Sequence, residues 1–231
     1  MEAKLNILYE DRDLVVAVKP AGVESESAKG LEPDMVNCLK SHCAGTGKEP
    51  YIGVIHRLDK PVSGIMVFAK TPECAAQLSG QMREGKIHKT YQAILCGQPK
   101  EKSAEWTDWL VQEKKGNMTR VGAKGEPGAK EAKLRYTLLK KKFTEGEQIA
   151  EVEIHLMTGR HHQIRVQFAS RGMPLAGDRK YNPVYRETPV KGVCGNTDLG
   201  KQLCLCAVSL GFTHPRTKKK MEFRVDPPFS L

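Results

Sequence analysis

Residues 56–69 read HRLDKPVSGIMVFA. One carboxylate, Asp59, stands there between the cations Arg57 and Lys60, just ahead of the apolar run Ile65 to Ala69. Five apolar residues after a Pro- and Gly-containing turn read as a buried strand. An acid at the mouth of such a strand has two readings. It is ordinary turn chemistry, capping nearby backbone N–H groups. Alternatively, it is a catalytic carboxylate kept ionised by cationic neighbours. Taken alone, the stretch favours the turn, so other segments of the chain decide between the two.

On the N-terminal side, Leu14 to Val18 is another short apolar run, stopped by Pro20 and Gly22. On the C-terminal side, Thr71 is placed as an N-cap, with Pro72 at the first helical position, Glu73 in the first turn, and Ala75, Leu78 and Met82 on one face. Residues 87–95 and 132–139 read as strands. From Gln148 to Leu156 the alternation is clean: Ala150, Val152, Ile154 and Leu156 face one way, and Glu151, Glu153 and His155 the other. His161 to Arg171 reads as a helix with Ile164 and Phe168 inward and Gly172 at its C-terminal cap. Strands predominate without a strict strand–helix rhythm, which predicts an α+β fold rather than doubly wound α/β.

The chain has 231 residues, enough for one large domain or two small ones, and nothing in it reads as a linker or a repeat. Lys plus Arg number 37 against 27 Asp plus Glu, a net charge of +10, which favours a polyanionic partner held through phosphate contacts. The N-terminal MEAKLNILYEDRD lacks the apolar core of a signal peptide, and Gln202 to Pro215 is too short and polar to span a bilayer. A soluble, cytoplasmic protein with no membrane partner is expected. Seven cysteines without a CxxC pair fit free thiols in a reducing compartment, and zinc is not expected. AGTGKEP at 44–50 is read as a loop rather than a phosphate-binding motif, because Glu49 stands where Ser or Thr would hold magnesium.

The nonapeptide HRLDKPVSG, together with KPAGV at 19–23, KTYQAIL at 89–95, LMTGRHHQIR at 156–165, GDRKY at 177–181 and LCAVSLGFTHP at 205–215, resembles the ordered motifs of the RluA-type pseudouridine synthases. The resemblance covers nearly the whole chain. It implies the pseudouridine synthase fold, α+β with a mixed, largely antiparallel sheet and flanking helices, and residues 1–231 as a single catalytic domain without an N-terminal RNA-binding module. It implies isomerisation of a uridine in tRNA or rRNA to pseudouridine. That reaction needs neither cofactor nor metal, and a monomer is expected. In the family the Asp of the nonapeptide is catalytic, which assigns that role to Asp59. The matching Tyr is Tyr91, whose ring can stack on an extruded uracil and whose phenol can serve proton transfer. The matching Arg is Arg165, which in the family pairs with the catalytic Asp; only Arg offers a bidentate fork for that purpose. Arg57, Arg160 and Lys19 are the expected RNA contacts. His56 is read as a scaffold residue or a site residue.

The sequence departs from the family pattern at Val62, His161 and Cys206, where Thr, Thr and His are common; all three spare the Asp, Tyr and Arg. Lys114 to Lys130, with cations spaced by glycines, is either a solvated hairpin insertion or an RNA-contacting loop. Two rival functions are a catalytically silent RNA-binding protein of the same fold and a nucleoside or glycoside hydrolase using Asp59. The second is disfavoured because such enzymes usually pair two carboxylates, and the HRLDKPVSG segment holds one.

Overall fold

Apolar, β-branched runs and capped amphipathic stretches give this chain an α+β architecture. A computed structural model describes residues 5–27, 34–45, 49–113, 115–144, 147–182, 194–195 and 202–231. The elements begin with β1 (Asn6–Glu10), β2 (Leu14–Lys19), α1 (Met35–Cys43), β3 (Gly53–Val54), β4 (Ser63–Ala69) and α2 (Pro72–Arg83). Next come β5 (His88–Cys96), β6 (Ser103–Gln112), β7 (Thr119–Gly122), β8 (Lys130–Thr144) and β9 (Glu147–Leu156). The series ends with α3 (Gln163–Ala169), β10 (Cys194–Gly195), β11 (Leu205–Thr213), β12 (Lys220–Arg224) and β13 (Phe229–Ser230). The chain groups into two compact units, one of Met1–His88 with Ala207–Val225, the other of Lys89–Cys206 with Asp226–Leu231.

In the first unit, β2 pairs antiparallel with β1 and with β4, in a register that sets Leu14 against Ala69 and Lys19 against Gly64. All seven residues of β4 are buried, as a strand covered on both faces requires. The Asp11 side chain turns β1 into β2 by accepting the N–H groups of Asp13 and Leu14 at 2.8 and 3.0 Å. Helix α2 has the expected cap: Thr71 Oγ1 accepts from the Cys74 N–H at 3.1 Å, Pro72 follows, and Cys74 and Leu78 are buried with Ala75 and Met82 packed beside them. Burial pushes the thiols of Cys74 and Cys204 up to about 12, so both behave as small apolar groups.

The second unit is built on the antiparallel order β5-β9-β8-β6-β7, with β10 and β13 as a separate pair. The alternation read in β9 holds at Ala150, Val152 and Ile154, but Glu151, expected outward, is buried. It lies 3.6 Å from the Lys140 ammonium and accepts the Leu231 N–H at 3.4 Å, which offsets its loss of water. Strand β8 runs longer than expected and carries a register shift between Leu138 and Lys140. The expected helix over 161–171 is shorter. His162 adopts the left-handed conformation (φ 50°) as the N-cap, so the helix starts only at Gln163 with the His162 carbonyl accepting the Val166 N–H at 3.0 Å, and Gly172 (φ 73°) lets the Met173 N–H close on the Phe168 carbonyl at 3.1 Å. Helix α1, capped by Asp34, forms where no helix was expected. Of the 44–50 loop, residues 46–48 lie outside the described residues.

At the start of β4, Gly64 has φ +129°, and a Cβ there would meet the backbone N and O of Ala207, closer than real Cβ atoms come. This strand pairing tolerates no side chain at that position. Gly64→Ala is expected to lower unfolding stability by at least about 2 kcal/mol, combining backbone strain with overpacking. A urea denaturation midpoint unchanged from that of the parent would show that β4 and β11 can separate without cost.

Candidate active site

In the first unit, the loop carrying Asp59 is fixed on both sides of that residue. Before it, the Leu58 N–H donates to Ser25 Oγ at 3.0 Å, and that hydroxyl donates to the Leu58 carbonyl at 2.8 Å. After it, the Lys60 carbonyl accepts from the Gly22 N–H at 2.8 Å and from Lys19 Nζ at 3.1 Å. The Asp59 carbonyl accepts the Val62 N–H at 2.9 Å, closing a tight turn. The side chain at the turn's first position is half-buried, while its neighbour Arg57 is exposed. His56 accepts the Val67 N–H through Nε2 at 3.4 Å, a bond that ties the loop to β4 and favours its scaffold reading.

Lys19 does not match the expectation of a phosphate contact. It is 0% exposed, and its ammonium donates to the carbonyls of Pro20 (3.0 Å), Val23 (2.6 Å) and Lys60 (3.1 Å). A buried ammonium needs three acceptors, and here all three come from the loops themselves. Burial pulls it down to about 8, against the opposing pull of Asp59 and Glu24.

In the second unit, Tyr91 lies on β5 opposite Ile154 of β9 and is 6% exposed. Burial lowers the neighbouring Lys89 ammonium, which approaches Gly159 in the loop before α3. That loop is shaped by Gln163, whose Oε1 accepts Thr158 Oγ1 (2.8 Å) and the Arg160 N–H (3.0 Å) while its Nε2 donates to the Lys133 carbonyl (3.1 Å). Arg160 is exposed, with Nε resting on the Glu131 carbonyl at 2.8 Å, so it keeps a cation at the surface.

Arg165 is 4% exposed on α3 and forks onto Asp178, itself fully buried, through Nε (2.8 Å) and Nη2 (2.7 Å). Asp178 Oδ1 also accepts the N–H groups of Lys180 (2.9 Å) and Tyr181 (3.1 Å). The turn that presents it needs Gly177 (φ +72°), where a Cβ would run into the Gln202 carbonyl. Asp178 is absent from the expected site residues, although it is the one acid of the GDRKY segment. The Tyr181 hydroxyl accepts the Thr119 N–H at 2.8 Å and lies 2.8 Å from His162 Nδ1, and Thr119 Oγ1 lies 2.7 Å from His161 Nδ1. These bonds hold the Lys114 to Lys130 segment at its base. Much of its charge is spent locally: Arg120 is paired with Glu126 and Glu113, and Lys124 sits 5.9 Å over the Trp109 ring. Lys114 lies outside the described residues.

Two groups of side chains have metal-like spacing among the described residues, Glu10 with His42 and Cys43, and Asp11 with Asp13 and His214. In the second, His214 Nδ1 accepts the N–H groups of Arg216 and Thr217 at 3.2 and 3.1 Å, and Nε2 is 2.8 Å from Asp11. That knot is satisfied by protein groups alone. In the first, Lys70 is 2.6 Å from Glu10 and stands where a cation would be needed.

The sequence profile described as RNA pseudouridylate synthase matches residues 13–170. An uncharacterized RNA pseudouridine synthase of Aquifex aeolicus is 33% identical over 228 residues, 97% of this chain and 70% of that protein. The ribosomal large subunit pseudouridine synthase D of Zymomonas mobilis is 32% identical over 230 residues, covering 97% and 69% of the two chains. The solved structure of human RNA pseudouridylate synthase domain containing 1 matches with a TM-score of 0.77 and 21% identity over 99% of this chain and 85% of its own, a likeness of fold. The chain belongs to the RNA pseudouridylate synthase family, whose members are isomerases.

Two outcomes follow from this geometry. Asp178→Asn removes the charge of a buried carboxylate that forks onto the Arg165 guanidinium and is expected to destabilise the protein by roughly 3 to 5 kcal/mol, read by chemical denaturation. For Lys19, the unfolded chain keeps its proton to about 10.5 while the folded chain releases it at about 8. Between those values the unfolded state binds more protons, so this residue makes stability rise with pH. Measured as the difference between the parent and Lys19→Met, unfolding free energy should climb from pH 8 to 10.5. A flat difference would place the Lys19 titration elsewhere.

Proposed function

We propose that the chain converts a uridine in RNA to pseudouridine with Asp59 as the catalytic carboxylate. The observation that carries this is the placement of Asp59. It is the one acid of the matched HRLDKPVSG segment, and its flanking residues are bonded on both sides, to Ser25 and to Lys19 with Gly22. A carboxylate on a fixed backbone is aimed before substrate arrives, which is what a group acting at a single sugar carbon requires. The reaction breaks the bond from ribose C1′ to uracil N1 and joins C5 to the same carbon, so mass is conserved. A uridine in a duplex must first be turned out of the stack, at a cost of about a few kcal/mol returned by stacking and phosphate contacts.

In the same reading Tyr91 stacks on or exchanges a proton with the extruded base, and Arg165, its direction set by Asp178, carries the positioning role that the family resemblance gives it. Arg57 and Arg160, both exposed cations, hold phosphates. Residues 1–231 serve as one catalytic domain, acting as a cytoplasmic monomer. Among the described residues no helix is long and apolar enough to cross a membrane. The name of the Zymomonas mobilis relative favours large-subunit ribosomal RNA over transfer RNA as the target.

Asp59→Asn removes charge and basicity but almost no volume. It is expected to lower the single-turnover isomerisation rate by roughly a thousandfold or more while RNA is still bound. Turnover close to that of the parent would remove Asp59 from the role. Pseudouridine mapping in total RNA with and without the gene identifies the target. Free uracil with an abasic site would instead mark a hydrolase, and unchanged RNA a silent binding protein.

A further inference from the structure

In the second unit a groove of about 430 Å³ opens beside Trp106, Tyr136 and Arg171, with Gln98, Lys100 and Glu101 at its rim. None of these residues belongs to the matched motifs. The Arg171 guanidinium lies 4.2 Å over the Trp106 ring, and the indole is backed by Tyr136 at 4.7 Å and Phe168 at 4.8 Å between ring centroids. The guanidinium is also held by oxygen acceptors. Asp108 takes Nη1 at 3.0 Å and Nη2 at 3.1 Å, and the Gln167 carbonyl takes Nη1 at 3.0 Å.

A guanidinium held over an indole and neutralised by a carboxylate is a preformed surface for another planar group. Nucleobases are such groups, and their stacking on aromatic or Arg planes is tolerant of sequence. The rim supplies the rest of a nucleotide's needs. Lys100, exposed, can meet a phosphate, and the Gln98 amide has both a donor and an acceptor for a base edge. Glu101 is exposed as well, with its carbonyl accepting the Tyr136 hydroxyl at 3.3 Å.

We infer that this groove takes an unpaired nucleobase of the RNA, stacked against the Trp106–Arg171 pair, as a contact separate from the base that is isomerised. The inference rests on the reading of the chain as an RNA enzyme. It gives the protein a sequence-tolerant hold on single-stranded RNA.

Trp106 reports on its own site once Trp109→Phe makes it the sole indole of the chain. Titrating that full-length variant with oligoadenylate, which contains no uridine, should quench the indole fluorescence to saturation. An abasic ribose-phosphate oligomer of the same length should quench it little. Arg171→Lys keeps the charge but not the plane and should weaken the binding about five- to tenfold, and Lys100→Ala, at the exposed rim, should weaken it less. Absence of quenching, equal quenching by the abasic oligomer, or unchanged affinity in both variants would overturn the inference. Pseudouridine formation on cellular RNA, assayed with the same preparation, separates the two readings. Isomerisation without quenching removes the groove and leaves the function, whereas quenching without isomerisation upholds the groove and removes the function.

Discussion

A buried ammonium with three carbonyl partners governs the geometry of the first unit. Lys19 cannot be hydrated, so its charge is balanced by the dipoles of Pro20, Val23 and Lys60. Two of those carbonyls belong to its own turn and the third lies 41 residues on, beside Asp59. Satisfying one cation therefore fastens two distant loops together, and the β2–β4 register that sets Lys19 opposite Gly64 brings the loops to where this can happen. Ser25 adds the matching pair of bonds at Leu58. Asp59 stands in the middle of this lacing, its backbone position set by the bonds to Ser25, Lys19 and Gly22 on either side.

The second unit uses the same logic with opposite charges. Helix α3 is only seven residues long and buried on nearly every side, so Arg165 is almost shut off from bulk solvent. Asp178 supplies a fork-on-fork contact, and its remaining bonds to the backbone of Lys180 and Tyr181 give the carboxylate a single orientation. Around it, His161, His162, Thr119 and Tyr181 form a polar chain that fixes the approach to α3. His161 stands where Thr is common in the family, and its bond to Thr119 shows how this chain anchors its own hairpin segment with that change.

Much of this was legible beforehand where one residue's chemistry sufficed. Thr71 before Pro72 announced a helix start because a side-chain oxygen and a missing N–H serve one end only. The apolar run after Gly64 announced a buried strand because nothing in it can face water. Asp59, Tyr91 and Arg165 are proposed through ordered motifs rather than through any property of the single residues. Helix α1 escaped notice because its signal was a lone cap, Asp34, ahead of a short and weakly patterned stretch.

The sequence by itself determined the α+β class and the family, since periodicity, caps and motif order are local properties written residue by residue, and it supplied Asp59, Tyr91 and Arg165 as the groups proposed to carry the chemistry. Only the tertiary structure decided that Lys19 is a clamp rather than a phosphate contact, that Asp178 orients Arg165, that Glu151 is buried, and that Trp106 and Arg171 stack. Each of those depends on which distant groups share a volume from which water is excluded. Charge and hydrogen-bonding capacity are visible in the letters of a sequence; the partner that satisfies them is set by the fold.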